Sequence, residues 1–271
     1  MFKMTQVKPV RPVAPYSGGK SRLAKTIISH IEAIPHNAYC EPFIGMGGIF
    51  FRRKFKPKTE VINDYNGEVA NLFRILCHHY DPFVELLQWR LSSRREYCRL
   101  IDTRPDTLTD LQRAVRFFYL QRLAFGGRID GKNFGMSAKG TSYFNLSKIR
   151  PLLSAVHERL SNVVIENLDY KEFITRYDRE GTLFYLDPPY YGNENDYGRD
   201  LFSRNEFTLM ATLLKNIKGT FILSLNDRPE VVSLFKDFFQ LPVKTTYSIM
   251  SKDSPRRTNE LLISNMVLKG H

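Results

Sequence analysis

Residues 183–190 read Leu-Phe-Tyr-Leu-Asp-Pro-Pro-Tyr, four apolar positions that stop abruptly at Asp187. A run this short and β-prone suits a buried strand better than a helix. Two prolines cannot continue a sheet ladder, so the strand has to end where the carboxylate begins. The rest of the chain supplies layers around it. Residues 21–33 carry Leu23, Ala24, Ile27, Ile28 and Ile31 at helical spacing, ending before Pro35. Residues 39–43 read as a strand running into Gly45-Met46-Gly47-Gly48, after which Ile49-Phe50-Phe51 is expected to open a helix. Further strands are expected at 60–64, 163–168 and 220–225, a helix at 69–76, and a late hairpin pairing 243–248 with 261–264. Strands alternating with helices imply an α/β fold, a mostly parallel, Rossmann-like sheet with helices on both faces. Ligands of such a sheet bind at the carboxyl ends of its strands, which puts Asp187 on the active edge.

Segment 78–160 breaks this rhythm. It is helical and arginine-rich, with Ala114, Val115, Phe117, Phe118, Leu120 and Leu123 in one stretch, and it runs into a glycine-rich polar loop over 125–140. We read 1–77 with 161–271 as one unit and 78–160 as an inserted, mainly helical domain whose loop lies beside the active edge. A helical cap that only covers the sheet is the alternative. The 271 residues carry 40 Lys and Arg against 28 Asp and Glu, a net charge of +12. Such an excess attracts polyanions, of which nucleic acid is the commonest. Residues 90–150 hold thirteen basic and five acidic side chains, and 52–58 hold five basic and none acidic, so both are candidate phosphate-contacting surfaces. No stretch approaches the roughly 20 apolar residues of a membrane helix, and the basic, proline-containing start is not expected to be a secretory signal. Cys40, Cys77 and Cys98 are far apart and odd in number, which argues for a reducing cytoplasm. With no Cys-x-x-Cys pair, and with His78-His79 lacking a partner at ligand spacing, no metal is expected.

One carboxylate, a proline-fixed backbone and an aromatic ring presented together suit an amino group on a flat base. Asp187 and the Pro188 carbonyl can accept its two N–H hydrogens while Tyr190 stacks on the ring. A strand followed by a proline turn, with Tyr190 packing at the rim, would read the same way on those four residues alone. A second feature adds weight. Glu41-Pro42-Phe43-Ile44-Gly45-Met46-Gly47-Gly48 puts glycines at a strand-to-helix turn, where they permit close approach of a ligand. Nucleotide-binding sheets often follow such a turn with an acid about 20 residues on, for ribose hydroxyls. Asp64 falls nineteen residues after Gly45. The spacing is not Gly-x-Gly-x-x-Gly, which counts against a nicotinamide dinucleotide. Residues 15–21 suggest a phosphate loop only superficially, because the glycine required five positions before Gly19 is Ala14 and no apolar strand precedes it. Tyr16 and Lys20 are instead candidates to close over a cofactor, the Lys20 ammonium pairing with a carboxylate.

These motifs, in this order, resemble the Dam-type DNA adenine-N6 methyltransferases of the Asp-Pro-Pro-Tyr class, in which the recognition domain precedes that strand. The resemblance runs from residues 15–24 to Asn259-Glu260-Leu261-Leu262-Ile263-Ser264-Asn265. It implies S-adenosylmethionine as cofactor, with Tyr16, Lys20, Asp64 and Asp187 at its contacts. Glu41, Pro42, Phe43, Gly45 and Gly47 would form its pocket, and Asp169 and Tyr170 would flank its adenine. It implies direct transfer of the activated methyl to the amino group of an adenine flipped out of duplex DNA, with Asp187, Pro188, Pro189 and Tyr190 as the catalytic set. Residues 116–128 resemble the helix and loop that enter the DNA. Phe125 falls where the family carries a wedging aromatic. Arg116, Arg122, Arg128 and Lys132 are candidate DNA contacts, as are Arg256 and Arg257 of the hairpin loop. After Gly126 the chain departs from the GATC-reading members, with Asp130 and Lys132 in a different loop, so the target sequence stays open. A monomer is expected, a weak dimer on DNA being the alternative. The rivals are amino methylation of cytosine N4, RNA adenine or a protein glutamine amide, and a DNA-binding module with a decayed site. Aspartate at 187 and the arginine-rich insertion favour DNA adenine, and intact Tyr16, Lys20, Asp64 and Asp187 argue against decay.

Overall fold

The computed structural model describes residues 4–16, 19–90, 92–124, 134, 144–192, 202–246 and 257–268. The N-terminal β1 (Thr5–Gln6) pairs antiparallel with β3 (Phe55–Lys56) in a small sheet of its own. The main sheet is built from β2 (Ala38–Glu41), β4 (Thr59–Asn63), β5 (Val163–Glu166), β6 (Thr182–Leu186), β7 (Thr220–Asn226), β8 (Phe239–Thr246) and β9 (Arg257–Ser264). Its order is β5-β4-β2-β6-β7-β9-β8; the first five strands are parallel, and β9 runs antiparallel to both β7 and β8. A late hairpin does form, but in a shifted register: 261–264 pair with 239–242, and 243–246 pair with 257–260.

Two helical layers cover the sheet. Leu183 and Tyr185 of β6 enter one apolar cluster while Phe184 and Leu186 enter the other. With both faces buried, every residue of β6 is buried, and from Leu183 onward its sequence is continuously apolar instead of alternating. The first layer contains α1 (Ala24–Ala33) and α2 (Gly67–His78), together with the helices of segment 78–160: α3 (Tyr80–Gln88), α4 (Arg94–Asp102), α5 (Asp110–Leu123) and α6 (Leu146–Arg159). The second contains α7 (Tyr170–Tyr177), α8 (Asn205–Leu214) and α9 (Pro229–Leu234). Phe83, Phe118 and Leu153 of that segment join Leu72 and Phe73 of α2 in one continuous core. A Thr109–Gln112 capping box starts α5. Its far end is tied to the chain just before Tyr16, where Gln121 Nε2 donates to the Pro15 carbonyl at 2.6 Å and Arg122 to that of Val13 at 3.1 Å.

Two expectations change. Ile49-Phe50-Phe51 does not open an α-helix; only a 3-10 turn forms, at Phe50–Arg52, and Arg53 is already extended. The cause lies in Arg53, whose fully buried guanidinium lies 3.5 Å from the centre of the Tyr39 ring and is ion-paired with Glu60. Glu60 also takes two hydrogen bonds from Arg159 of α6, at 2.6 and 2.7 Å. Residues 52–58 are consequently not one continuous basic surface, because their second member is a core residue.

From β2 the chain runs to β4 and β5 on one side, then returns to place β6 on the other. The carboxyl ends of β2 and β6 flank the crevice at that reversal, the place where ligands of open parallel sheets bind.

Candidate active site

A cavity of about 460 Å³ opens at this crevice. Its walls come from the segment before α1, the turn after β2, residues 64–66 after β4, and Asp187 with Pro189 after β6. The turn depends on glycine. Gly45 and Gly47 have φ of +50° and +73°, in the left-handed region. A Cβ on Gly45 would stand 3.0 Å from the Tyr16 ring, and one on Gly47 only 2.2 Å from Phe51. Glycine thus lets Tyr16 close over the turn from one side and Phe51 pack beneath it from the other. Asp64 buttresses the same turn, accepting hydrogen bonds from the Gly45 and Asn66 amides, each at 2.9 Å. Burial pushes its carboxyl up to about 6 against the pull of those two N–H groups. Glu41, at the end of β2, accepts the Tyr39 hydroxyl at 2.5 Å and is pushed by burial up to about 8.

Lys20 is the hub of the polar wall. Its ammonium is buried, 2.7 Å from Asp187 Oδ1, and donates to the Tyr190 hydroxyl at 2.9 Å. The expected lysine–carboxylate pair is therefore Lys20 with Asp187. Burial raises the Asp187 carboxyl to about 6, and Lys20 works against that rise. The Tyr190 hydroxyl donates in turn to Glu260, a residue that sequence reasoning did not single out as functional. Glu260 is buried, lies 3.7 Å from the Lys20 ammonium and accepts from Ser224 Oγ at 3.2 Å. Because β9 is antiparallel, its amino end reaches the same edge as the carboxyl ends of the parallel strands, with Glu260 opposite Asn226. Asn226 clamps the chain after Tyr190, bonding both the amide and the carbonyl of Tyr191 at 3.0 and 2.9 Å. The available signal was an acid directly before the apolar run 261–263, where a buried strand position needs a partner for its charge.

Of the other expected site residues, Phe43 lines the cavity. Pro42 and Gly47 belong to the turn behind the wall; the Pro42 carbonyl accepts from Asn63 Nδ2 at 2.9 Å. Asp169 caps α7 through the Lys171 amide at 2.8 Å. Tyr170 is buried, bonds Glu206 at 2.8 Å and sets its ring 5.5 Å from Phe43, backing that wall. Pro188 is buried beside Asp187. In the insertion, Arg122 lines the cavity, whereas Arg116 donates to the carbonyls of Leu100 and Ile101 at 2.7 and 3.3 Å, near the end of α4. Phe125, Arg128, Lys132 and Arg256 lie outside the described residues, as does the side chain of Arg257. Among the described residues, no group of three or more His, Cys, Asp or Glu is arranged to hold a metal ion, and no helix is long and apolar enough to cross a membrane.

The comparisons with known proteins agree with this geometry. The family model for D12 class N6 adenine-specific DNA methyltransferases matches residues 16–249. The chain is similar to the type II methyltransferase M1.LlaDCHI of Lactococcus lactis subsp. cremoris, with 29% identity over 279 residues covering 94% of this chain and 95% of the relative. It is also similar to the type II methyltransferase M.CviBI of Paramecium bursaria Chlorella virus NC1A, 21% identical over 266 residues, covering 97% and 100%. The DNA N-6-adenine-methyltransferase of Escherichia phage P1 is 24% identical over 256 residues, 87% of this chain and 33% of that protein.

Proposed function

The chain belongs to the D12 class of N6 adenine-specific DNA methyltransferases, and on that premise we propose that it methylates a flipped adenine of duplex DNA using S-adenosylmethionine held in the cavity between β2, β4 and β6. The observation that carries this reading is the position of Asp187, an acceptor fixed by Lys20 at the end of β6 and sharing one cavity with the glycine turn and Asp64.

The residues suit such a cofactor. Asp64 offers a half-buried carboxylate to ribose hydroxyls, and the Tyr185 hydroxyl stands buried at the cavity wall without a hydrogen-bond partner among the described residues. When bound, the cofactor supplies a methyl already activated on a positively charged sulfur. The chain's own residues then need only position the amino group. Asp187 and the Pro188 carbonyl accept its two hydrogens, which directs the nitrogen lone pair at the methyl, while Tyr190 holds the base by stacking. Acceleration comes from orientation and a preorganised acceptor; the amino group need not lose a proton before it attacks. We assign 78–160 to target recognition, with Arg122, Phe125, Arg128 and Lys132 toward the DNA, joined there by Arg256 and Arg257 of the hairpin loop, and with Arg116 bracing α4.

Incubation with duplex DNA and S-adenosylmethionine is expected to yield N6-methyladenine on nucleoside analysis; N4-methylcytosine alone would overturn the base assignment. Within this site Glu260 acts as a positioning residue. Glu260→Gln removes the charge that assists the Tyr190 bond and should lower single-turnover methylation by about five- to tenfold with cofactor affinity little changed. Unaltered single-turnover rates would remove Glu260 from the mechanism.

A further inference from the structure

We propose that Arg11 and Arg52 form the seat for the carboxylate at the amino-acid end of the cofactor. The inference rests on the cofactor reading above and extends it to two residues that the family resemblance did not assign to the cofactor. Both arginines line the same cavity as Asp64 and Asp187. Arg52 is half-buried on the short turn after the glycines, where its guanidinium donates to the Gly48 carbonyl. Burial, and then the neighbouring charge of Arg11, hold Arg52 below the usual arginine range.

Charge balance makes the pair informative. Arg53 and Arg159, the buried arginines of the core, share the Glu60 carboxylate. Among the described residues, no carboxylate pairs with Arg11 or Arg52. Two like charges on one cavity wall, one of them partly removed from water, repel each other and favour an anion between them. A planar guanidinium is the group best matched to a carboxylate.

The location narrows the choice of anion. A Cβ built on Gly48 would find only two neighbours, Arg52 Nη1 and the Lys20 amide nitrogen, each at 3.9 Å. That wall is therefore open and bordered by two donors, whereas the Asp64 wall offers an acceptor. The cofactor carries hydroxyls at its sugar and a single carboxylate at its other end. Its polarity matches a cavity with an acid at one wall and arginines at another. A DNA phosphate is the competing anion.

The test is calorimetric titration with S-adenosylhomocysteine and with its decarboxylated counterpart, 5′-S-(3-aminopropyl)-5′-thioadenosine, which differs only in that carboxylate. The native protein is expected to prefer the carboxylate-bearing ligand by roughly 10- to 100-fold. Arg52→Met should abolish most of that preference while leaving the decarboxylated ligand within about twofold, the latter showing that the glycine turn is intact. Arg11→Met removes no backbone bond and should narrow the preference several-fold, so it decides the matter if Arg52→Met weakens both ligands alike. Preference retained in Arg11→Met and Arg52→Met overturns the proposal, as does a loss confined to duplex DNA binding, which would assign the pair to phosphate. A native protein that binds neither ligand defeats the cofactor reading itself and this inference with it.

Discussion

Asp187→Ala is expected to lower methyl transfer by at least about 10²–10³-fold while duplex DNA binding is largely retained. In the proposed mechanism the carboxylate is one of two acceptors for the amino hydrogens, and its loss leaves the lone pair undirected. Lys20 keeps contacts with Tyr190 and Glu260, so the wall should not collapse. Single-turnover methylation, set beside a DNA-binding isotherm, separates the two effects. Turnover at the native rate would refute the assignment. A pH dependence follows from the same residue. Burial raises Asp187 to about 6 in the free protein, and its ionised form is the stronger acceptor for the amino hydrogen and keeps the ion pair with Lys20. The rate should be full above that value and fall as pH drops through it. The Asp64 carboxyl also lies near 6 but braces the glycine turn, so its protonation should appear in cofactor affinity instead.

Glu60→Ala is expected to destabilise the fold by about 3–5 kcal/mol, because it leaves two guanidinium groups buried without their counter-charge. Arg53 and Arg159 both pair with that one carboxylate. The ring of Phe50 lies 5.6 and 4.2 Å from them, and neither arginine has water to turn to. For a chain of this size the loss corresponds to a fall in Tm of roughly 6–20 °C. Chemical denaturation measures it directly, and a change below about 1 kcal/mol would mean that the three side chains do not act as a unit. Arg53 also lies against Tyr39, which bonds Glu41 at the cavity wall. Weakened cofactor binding should therefore accompany the lost stability.

Much of the active edge was legible in the chain because its signals are local. Pro188 and Pro189 can only end a strand, and Gly45 and Gly47 occupy backbone conformations that other residues enter with strain. Asp64 was recognisable by its distance from the turn, nineteen residues, although the chain covers that distance through a 3-10 turn and β3 instead of an α-helix. The helix expected at Ile49-Phe50-Phe51 was wrong because three apolar residues do not reveal that Arg53 is drawn into the core. Glu260 escaped notice for a related reason, since nothing near it in the chain announces Lys20 or Tyr190.

By itself the sequence determined the alternation of strands and helices, the strand end that carries Asp187, and the glycine turn that opens the nucleotide side. Each follows from the conformational limits of contiguous residues. Tertiary structure alone decided which charges meet: Lys20 with Tyr190 across 170 positions, Tyr190 with Glu260 across 70, and Glu60 with Arg159 across 99. Those meetings depend on strand order and on the antiparallel direction of β9, and a buried charge persists only where the completed sheet brings it a partner.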